Sequence, residues 1–448
     1  MQEREIKSFI DNVILIIDTN VLLYLYKCSF NTNQNLVQLL NKVKDKVVIP
    51  GQVYQEYLRH KHTEQAKIDQ KYDNFTKELQ TFVSAAQTKI GNAIRQSRKY
   101  DFPNCDELEN DIQESMDDIN NTIQRYGNSL ASEKSNKGIQ ITSVEQLLNY
   151  WDSNGKILNQ ISIPELLETI KEGEIRFRYK MPPGYMDENE KDKELQKKPQ
   201  LDNFYGRVRK YGDLFVWKEI IKVGIANSDK KIVFITNDVK EDWWDTKQGN
   251  VMRSELYNEF VTITNNESIE FLTLDHFYEL FSRYYQIQDT KTQMEISMDE
   301  YAQKCILEDY EDEIIRYVEN ICVKLDPQEI YSEFSFVEYT EYNVWDLEIE
   351  NVAIHFDEEA AHYEIAVGVN VEMTFLSDDN SMLGRAELVF HVNVEIQRDL
   401  LETDEKAISI KNATYEISDV KDAWEVFLDY EAEAEAYASD AYEEEHRH

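Results

Sequence analysis

The sequence predicts an α/β fold: a parallel-sheet sandwich carrying a helical insertion, followed by an acidic α+β domain built on an antiparallel sheet. Three observations predict it. Short β-branched apolar runs alternate with helical patterns over the first 290 residues, about 150 mostly helical residues interrupt them, and the charge balance changes abruptly near residue 290.

The apolar runs come at 13–17 (VILII), 47–49 (VVI), 232–235 (IVFI) and 269–274 (IEFLTL). Continuous apolar runs bounded by acidic, Pro or Gly residues suit strands covered on both faces by helices, hence a parallel sheet. Helical patterns follow at about 33–43, 52–100, 212–226 and 251–259. The stretch 61–205 reads as an insertion, because strands of one sheet lie on either side of it. It holds helical patterns near 106–123 and 144–170 and the Pro/Gly punctuation MPPGYMDENEKDK at 181–193. A boundary is expected at 286–295, in the polar QIQDTKTQ, which divides the chain into domains 1–290 and 291–448. Beyond it come an acidic helix over 299–324 and alternating segments such as HYEIAVGVNVEMTFL and RAELVFHVNVEI, which read as antiparallel strands with one wet face. The tail EAEAEAYASDAYEEE (431–445) is biased in composition and reads as a helix or a disordered acidic end.

Composition narrows the function. The chain has 448 residues and a net charge of −39, which argues against a protein that wraps nucleic acid over its whole surface. Residues 291–448 carry 42 Asp and Glu against 10 Lys and Arg, so −32 of that charge belongs to the second domain and only −7 to the first. A hydrophobic content of 42% with 12% aromatics is enough to bury real cores and excludes a disordered acidic chain. Cys28, Cys105, Cys305 and Cys322 show no CxxC spacing, so they read as reduced thiols and not as a zinc site or a secreted scaffold. No run approaches the roughly 18–20 apolar residues of a membrane span, and no leader is visible, so a cytoplasmic protein is expected.

Ligands of open α/β sheets bind beyond the carboxyl ends of the strands, and four acids fall on that rim. Asp18 ends the first strand, Glu56 lies on the helix after the second, Asp213 opens the helix GDLFVWKEII, and Asp238 ends IVFITND. Such a ring repels itself unless a divalent cation sits among the acids. All-oxygen ligands select Mg²⁺ or Mn²⁺, in one or two copies, and the chemistry this suggests is in-line hydrolysis of a phosphodiester. Thr19 and Asn20 are expected to orient Asp18, and Thr236 and Asn237 to orient Asp238, through hydrogen bonds. Asp242 is either a further ligand or a solvated helix residue. A dehalogenase-type phosphatase needs a second Asp where Asn20 stands, and a dinucleotide-binding module needs a Gly-rich turn that DTNVLL lacks.

The strings IIDTNVLLYLY, IPGQVYQEYLRH, YGDLFVWKEII and IVFITNDVKEDWW together resemble the PIN-domain nucleases. More narrowly, they are similar to a bacterial PIN-like subfamily with a helical insertion, in which a PPG(Y/F) loop precedes the GDL helix; here the loop is PPGYMDENEKDK. The resemblance covers about 1–285. It implies a PIN fold, Mg²⁺ or Mn²⁺ as cofactor, and endonuclease activity on single strands, most often RNA, with Asp18, Glu56, Asp213 and Asp238 as the metal-binding catalytic acids. Stand-alone relatives in bacteria are often toxins or defence effectors.

Substrate contacts are expected from Arg95, Arg98 and Lys99 in one helix, and from Arg176, Arg178, Lys180, Lys191, Arg207, Arg209 and Lys210 around the PPGY loop and the GDL helix. Tyr185, Tyr205 and Tyr211 are candidates for base stacking, while Trp217, Trp243 and Trp244 read as packing. The sequence does not separate RNA from DNA, so a structure-specific DNA nuclease stays open. A second alternative is a restrained or non-catalytic protein, whose acidic domain docks a regulatory partner or builds a homo-oligomer.

Overall fold

The structure is a computed structural model. It describes residues 7–426 apart from 8, 101–103, 199, 201, 247–250, 333, 335–336, 379–380, 401–405 and 424. The tail at 431–445 and the side chains of Lys99 and Tyr205 lie outside the described residues. The chain divides into two compact units, Met1–Thr292 and Gln293–His448. The stretch expected to link them is helical, over Thr290–Ile296, and Asp289 accepts a hydrogen bond from the Thr292 amide at 2.8 Å.

In the first unit β1 (Val13–Ile17) runs into α1 (Thr19–Lys27) and α2 (Phe30–Val43), and β2 (Val47–Val48) runs into α3 (Gly51–Ser97). The insertion adds α4 (Cys105–Ser153), α5 (Ile163–Arg178), α6 (Glu188–Lys197) and α7 (Phe204–Val208). The chain then returns through α8 (Gly212–Ala226) to β3 (Lys231–Ile235), a small ribbon of β4 (Trp244–Asp245) and β5 (Val251–Met252), α9 (Ser254–Thr264), β6 (Ile269–Leu272) and α10 (Leu274–Tyr285). The main sheet has the order β2-β1-β3-β6 and every pairing in it is parallel. All five residues of β1 are buried, as a doubly covered strand requires. Trp217, Phe234, Trp243, Phe260 and Phe271 form an aromatic wall on this sheet, so the three tryptophans Trp217, Trp243 and Trp244 are core residues.

The insertion departs from its sequence reading in one respect. The patterns at 106–123 and near 144 belong to a single helix, α4, which ends at Asn154-Gly155, where Gly155 takes φ +63°. Helix then restarts at α5, where Ser162 and Glu165 make a reciprocal capping box around Pro164 in the first turn. Helices α3 and α4 run antiparallel, with Phe75 against Tyr126 at 5.9 Å and Arg98 paired to Asp106 and Glu109 at 2.5 Å.

The N-terminus of α3 is held by a side chain that the sequence reading did not single out. Glu219, buried on α8, accepts the amides of Gly51 and Gln52, each at 3.0 Å. It stands where a capping side chain would otherwise be needed, because Pro50 supplies none. Gly51 must be glycine here, since a Cβ would lie 2.8 Å from the Asn159 carbonyl oxygen.

The second unit packs helices, including α11 (Met298–Lys304) and α12 (Glu311–Cys322) joined through a π-helical turn at Cys305–Asp309, with one antiparallel sheet. The acidic helix expected over 299–324 is therefore interrupted. Its strands β7 (Tyr339–Phe356), β8 (Ala360–Leu376), β9 (Met382–Asp399) and β10 (Lys406–Asp422) lie in the order β10-β9-β8-β7. Along β8 the residues Tyr363, Ile365, Val367, Val369 and Val371 face the core, while His362, Glu364 and Glu372 alternate onto the other face. Cys28, Cys305 and Cys322 are buried and all four cysteines are free thiols.

Candidate active site

Parallel strands that end together deliver their following residues to one rim. The Asp18 amide donates to the Ile235 carbonyl at 3.0 Å, which sets the end of β1 beside the end of β3. Asp18, Glu56, Asp213 and Asp238 all line one cavity of about 230 Å³.

Each acid arrives with a different set of partners. Asp18 caps α1 through the Thr19 amide at 2.6 Å, and its second oxygen accepts from the Asn20 amide at 2.8 Å and the Thr236 hydroxyl at 2.6 Å. Glu56, in the second turn of α3, accepts from the Thr19 hydroxyl at 3.0 Å and from Gln52 at 2.7 Å. Asp238 accepts the Lys240 amide at 3.2 Å and has the Lys240 ammonium at 3.7 Å. For Asp213, in the first turn of α8, no hydrogen-bond donor is found among the described residues.

The electrostatics follow. Burial pushes Asp18 up to about 7, against the hydrogen bonds from Thr236 and Thr19, and Glu56 and Asp238 add repulsion. Asp213 is held well above the ordinary carboxylate range by burial first and then by Asp18, Asp238, Asp187 and Glu56. Asp238 is raised by burial and held back by Lys240. These oxygen donors fit a hard divalent cation. Among the described residues no three of His, Cys, Asp and Glu are gathered into a ligand cage.

A family described as "PIN like domain" matches residues 14–259, more than half of the chain, from within β1 to within α9. The chain belongs to the PIN-like domain family. No curated protein and no solved structure matches it. Members of this family are generally nucleases, typically dependent on divalent metals, and the fold is the parallel α/β sandwich described above. The second unit lies outside the match.

Within the PIN-like domain several expected roles change. Asp242 is not among the residues lining the carboxylate cavity: it is buried, and one of its oxygens accepts the amides of Gly184 at 2.8 Å and Met186 at 3.3 Å. It anchors the PPGY loop, so it is not a solvated helix residue. Thr236 serves Asp18 and not the Asp238 carboxylate, although its hydroxyl accepts the Asp238 amide at 3.0 Å. Asn237 turns to the Leu274 amide at the start of α10, at 3.1 Å. Thr19 divides its two donors between Asp18 and Glu56.

The basic residues separate into three groups. Lys191, Arg209 and Lys210 line the cavity, with Arg59 and His60, which the sequence reading did not single out. His60 is shifted down by burial and by Arg209, so its imidazole stays neutral at pH 7. Arg176 is a buried structural residue, paired with Glu172 at 2.7 Å and with Glu259, and it donates to the Pro182 carbonyl at 2.6 Å. Arg207 is clamped by Asp202 at 2.6 Å, and Arg178 and Lys180 are exposed outside the cavity lining. Arg95 and Arg98 are not brought to the cavity: they lie about 60 Å along α3 from Glu56, at 1.5 Å per residue. Tyr185 and Tyr211 pack around Phe177 and Phe215 instead of facing the carboxylates.

Asp187 was missed as a fifth acid. It lines the same cavity, pairs with Lys240, and has Lys191 at 3.7 Å. Its signal was its place three residues after Gly184, whose φ of +89° turns the PPGY loop back over Asp213. His60 had a signal too, since it lies four residues after Glu56 on one helix face.

Proposed function

We propose that the protein is a Mg²⁺- or Mn²⁺-dependent endonuclease that hydrolyses phosphodiester bonds in single-stranded nucleic acid, with RNA as the preferred substrate. The observation that carries this reading is Asp213: a carboxylate with no donor among the described residues, facing three other acids in one cavity. Such a group is relieved either by a proton or by a cation.

Asp18, Glu56, Asp213 and Asp238 would hold the cation. When bound, it neutralises the acids, lowers the pKa of water and stabilises charge on the scissile phosphate and leaving oxygen. Asn20 and Thr236 fix the orientation of Asp18, and Thr19 and Gln52 fix that of Glu56, so two carboxylates are preset on rigid elements. Arg59, Lys191, Arg209 and Lys210 surround the acids with positive charge, which lets a phosphate approach despite the net charge of −39. The finer reading places the chain with the bacterial PIN-like subfamily that has the PPG(Y/F) loop. It is supported by that loop's position over Asp213, where a Cβ at Gly184 would meet the Asp213 Cβ at 3.0 Å.

The test is cleavage of labelled single-stranded RNA, single-stranded DNA and transfer RNA by the purified chain with Mn²⁺, Mg²⁺ or EDTA, beside Asp18→Asn. Cutting is expected with metal, absent with EDTA and absent in the variant. Full cleavage by folded Asp18→Asn would overturn the assignment, and cutting of DNA alone would correct the substrate.

A further inference from the structure

Beside the carboxylates lies a second cavity, of about 550 Å³, within the range of roughly 300–1,000 Å³ typical of small-molecule sites. Every residue lining it belongs to the stretch 170–211, at the end of the insertion. Ile170, Leu195, Val208 and Tyr211 give it apolar walls, and Glu174 and Gln196 add polar groups. The Tyr211 ring is fixed: it packs on Phe177 at 5.1 Å, and it lies so close to Gly173 that a Cβ there would be 2.4 Å from it.

Two further observations define the occupant. Lys210 lines both cavities, so the two adjoin. The two also differ in one cation: the carboxylate cavity holds Arg59, which pairs with no carboxylate among the described residues, beside Lys191, Arg209 and Lys210, which pair with Asp187, Glu194 and Glu188. In the second cavity Arg207 is bound to Asp202 at 2.6 Å and Lys210 to Glu188 at 2.9 Å, with Asp192 at 3.4 Å. Among the described residues a phosphate finds no uncommitted cation there, while a flat, uncharged ring finds apolar walls. Glu174 and Gln196 make no hydrogen bond or ion pair with any described residue, so their capacity is open to such a ring.

We infer that this second cavity seats one unpaired nucleoside of the strand whose phosphate reaches the carboxylates. The inference rests on the nuclease reading and supplies a reason for single-strand preference. A base stacked and paired in a duplex cannot enter a side cavity without first leaving its stack. Apolar contact and stacking of one base contribute roughly tenfold in affinity.

The experiment is fluorescence anisotropy of the full chain in Ca²⁺ with a short single-stranded RNA, and with the same strand made abasic throughout. Wild type should bind the abasic strand about tenfold more weakly. Leu195→Trp, which fills the cavity, should bind both strands alike at the weaker level, and the exposed Gln196→Ala should narrow the difference without the risk to folding. Equal binding of both strands by wild type, or undiminished discrimination in folded Leu195→Trp and Gln196→Ala, would overturn the proposal. Neither readout needs cleavage: a chain that discriminates the strands but cuts nothing would refute the nuclease reading and leave the nucleoside site standing.

Discussion

Two regions of this chain collect acidic residues and treat them in opposite ways. In the carboxylate cavity the acids converge and are buried, so burial first and mutual repulsion after it lift Asp18 and Asp213 above the usual carboxylate range. On the polar face of the C-terminal sheet several acids are spread along strands and partnered. His362 lies between Asp357 at 2.9 Å and Glu395 at 3.1 Å, Lys411 also pairs with Glu395, and His391 meets Glu350 at 2.7 Å. There Asp357 falls to about 2, held down by His362 and by the amides of Ala360 and Glu359. Net charge therefore says little about function; what matters is whether each carboxylate is given a partner. The sheet-face acids named above are met by protein groups, whereas Asp213 in the cavity meets none among the described residues.

Asp213→Asn tests the contrast most severely. Cleavage should fall by at least about a thousandfold, yet the metal-free protein should become more stable, because a repelled charge is removed. A Tm gain of about 2–4 °C corresponds to 1 kcal/mol in a unit of this size. A stability loss in metal-free calorimetry would show that Asp213 is already compensated. Glu219→Ala should act in the reverse sense on the same unit, costing about 2 kcal/mol in denaturant melts by stranding the Gly51 and Gln52 amides.

The pH dependence of the two units separates them further. Asp18 and Glu219 are both pushed up to about 7, so the folded chain holds their protons where the unfolded chain has released them. Their contribution is complete below pH 4 and is lost as pH rises through about 7. The first unit should melt lower at pH 8 than at pH 5 without metal, and excess Mg²⁺ should reduce that slope while Glu219 keeps part of it. Asp357 contributes above pH 4 and loses its effect as pH falls through about 2, so it adds no slope in that window. His362 is raised, and its contribution persists until pH rises through that raised value. A calorimetric slope that Mg²⁺ leaves unchanged would remove Asp18 from the account. The smallest effect is expected from Arg98→Ala. Its exposed pairs with Asp106 and Glu109 should be worth at most about 0.5 kcal/mol, and cleavage should not change; a clear loss of cleavage would mean the distal helices touch substrate.

Much of this was legible in the chain because burial on two faces leaves an unmistakable mark. VILII and IVFI could only be doubly covered strands, and the acids that follow them had to meet at the rim. The four carboxylates named from that rule do line one cavity. What was not legible depended on how far elements run and which way loops fold back. Arg95 and Arg98 sit in a basic cluster whose distance from Glu56 is set by an unbroken helix of 47 residues. Asp242 lies four residues past Asp238, yet the loop turns it toward Gly184. Glu219 did leave a trace, as a lone acid within the apolar run of FVWKEIIKVGI, where a buried charge must have a task.

Helix α3 also has a mechanical meaning. It is a lever whose fulcrum is the Glu219 carboxylate, with Glu56 on the short arm and Ser97 at the end of the long one. At 1.5 Å per residue the arms are about 8 and 69 Å, so a rigid swing of 5 Å at the tip reaches Glu56 as only about half an ångström. The arm works as a reduction gear: it can be gripped and bent far from the cavity while the carboxylate that depends on it hardly moves.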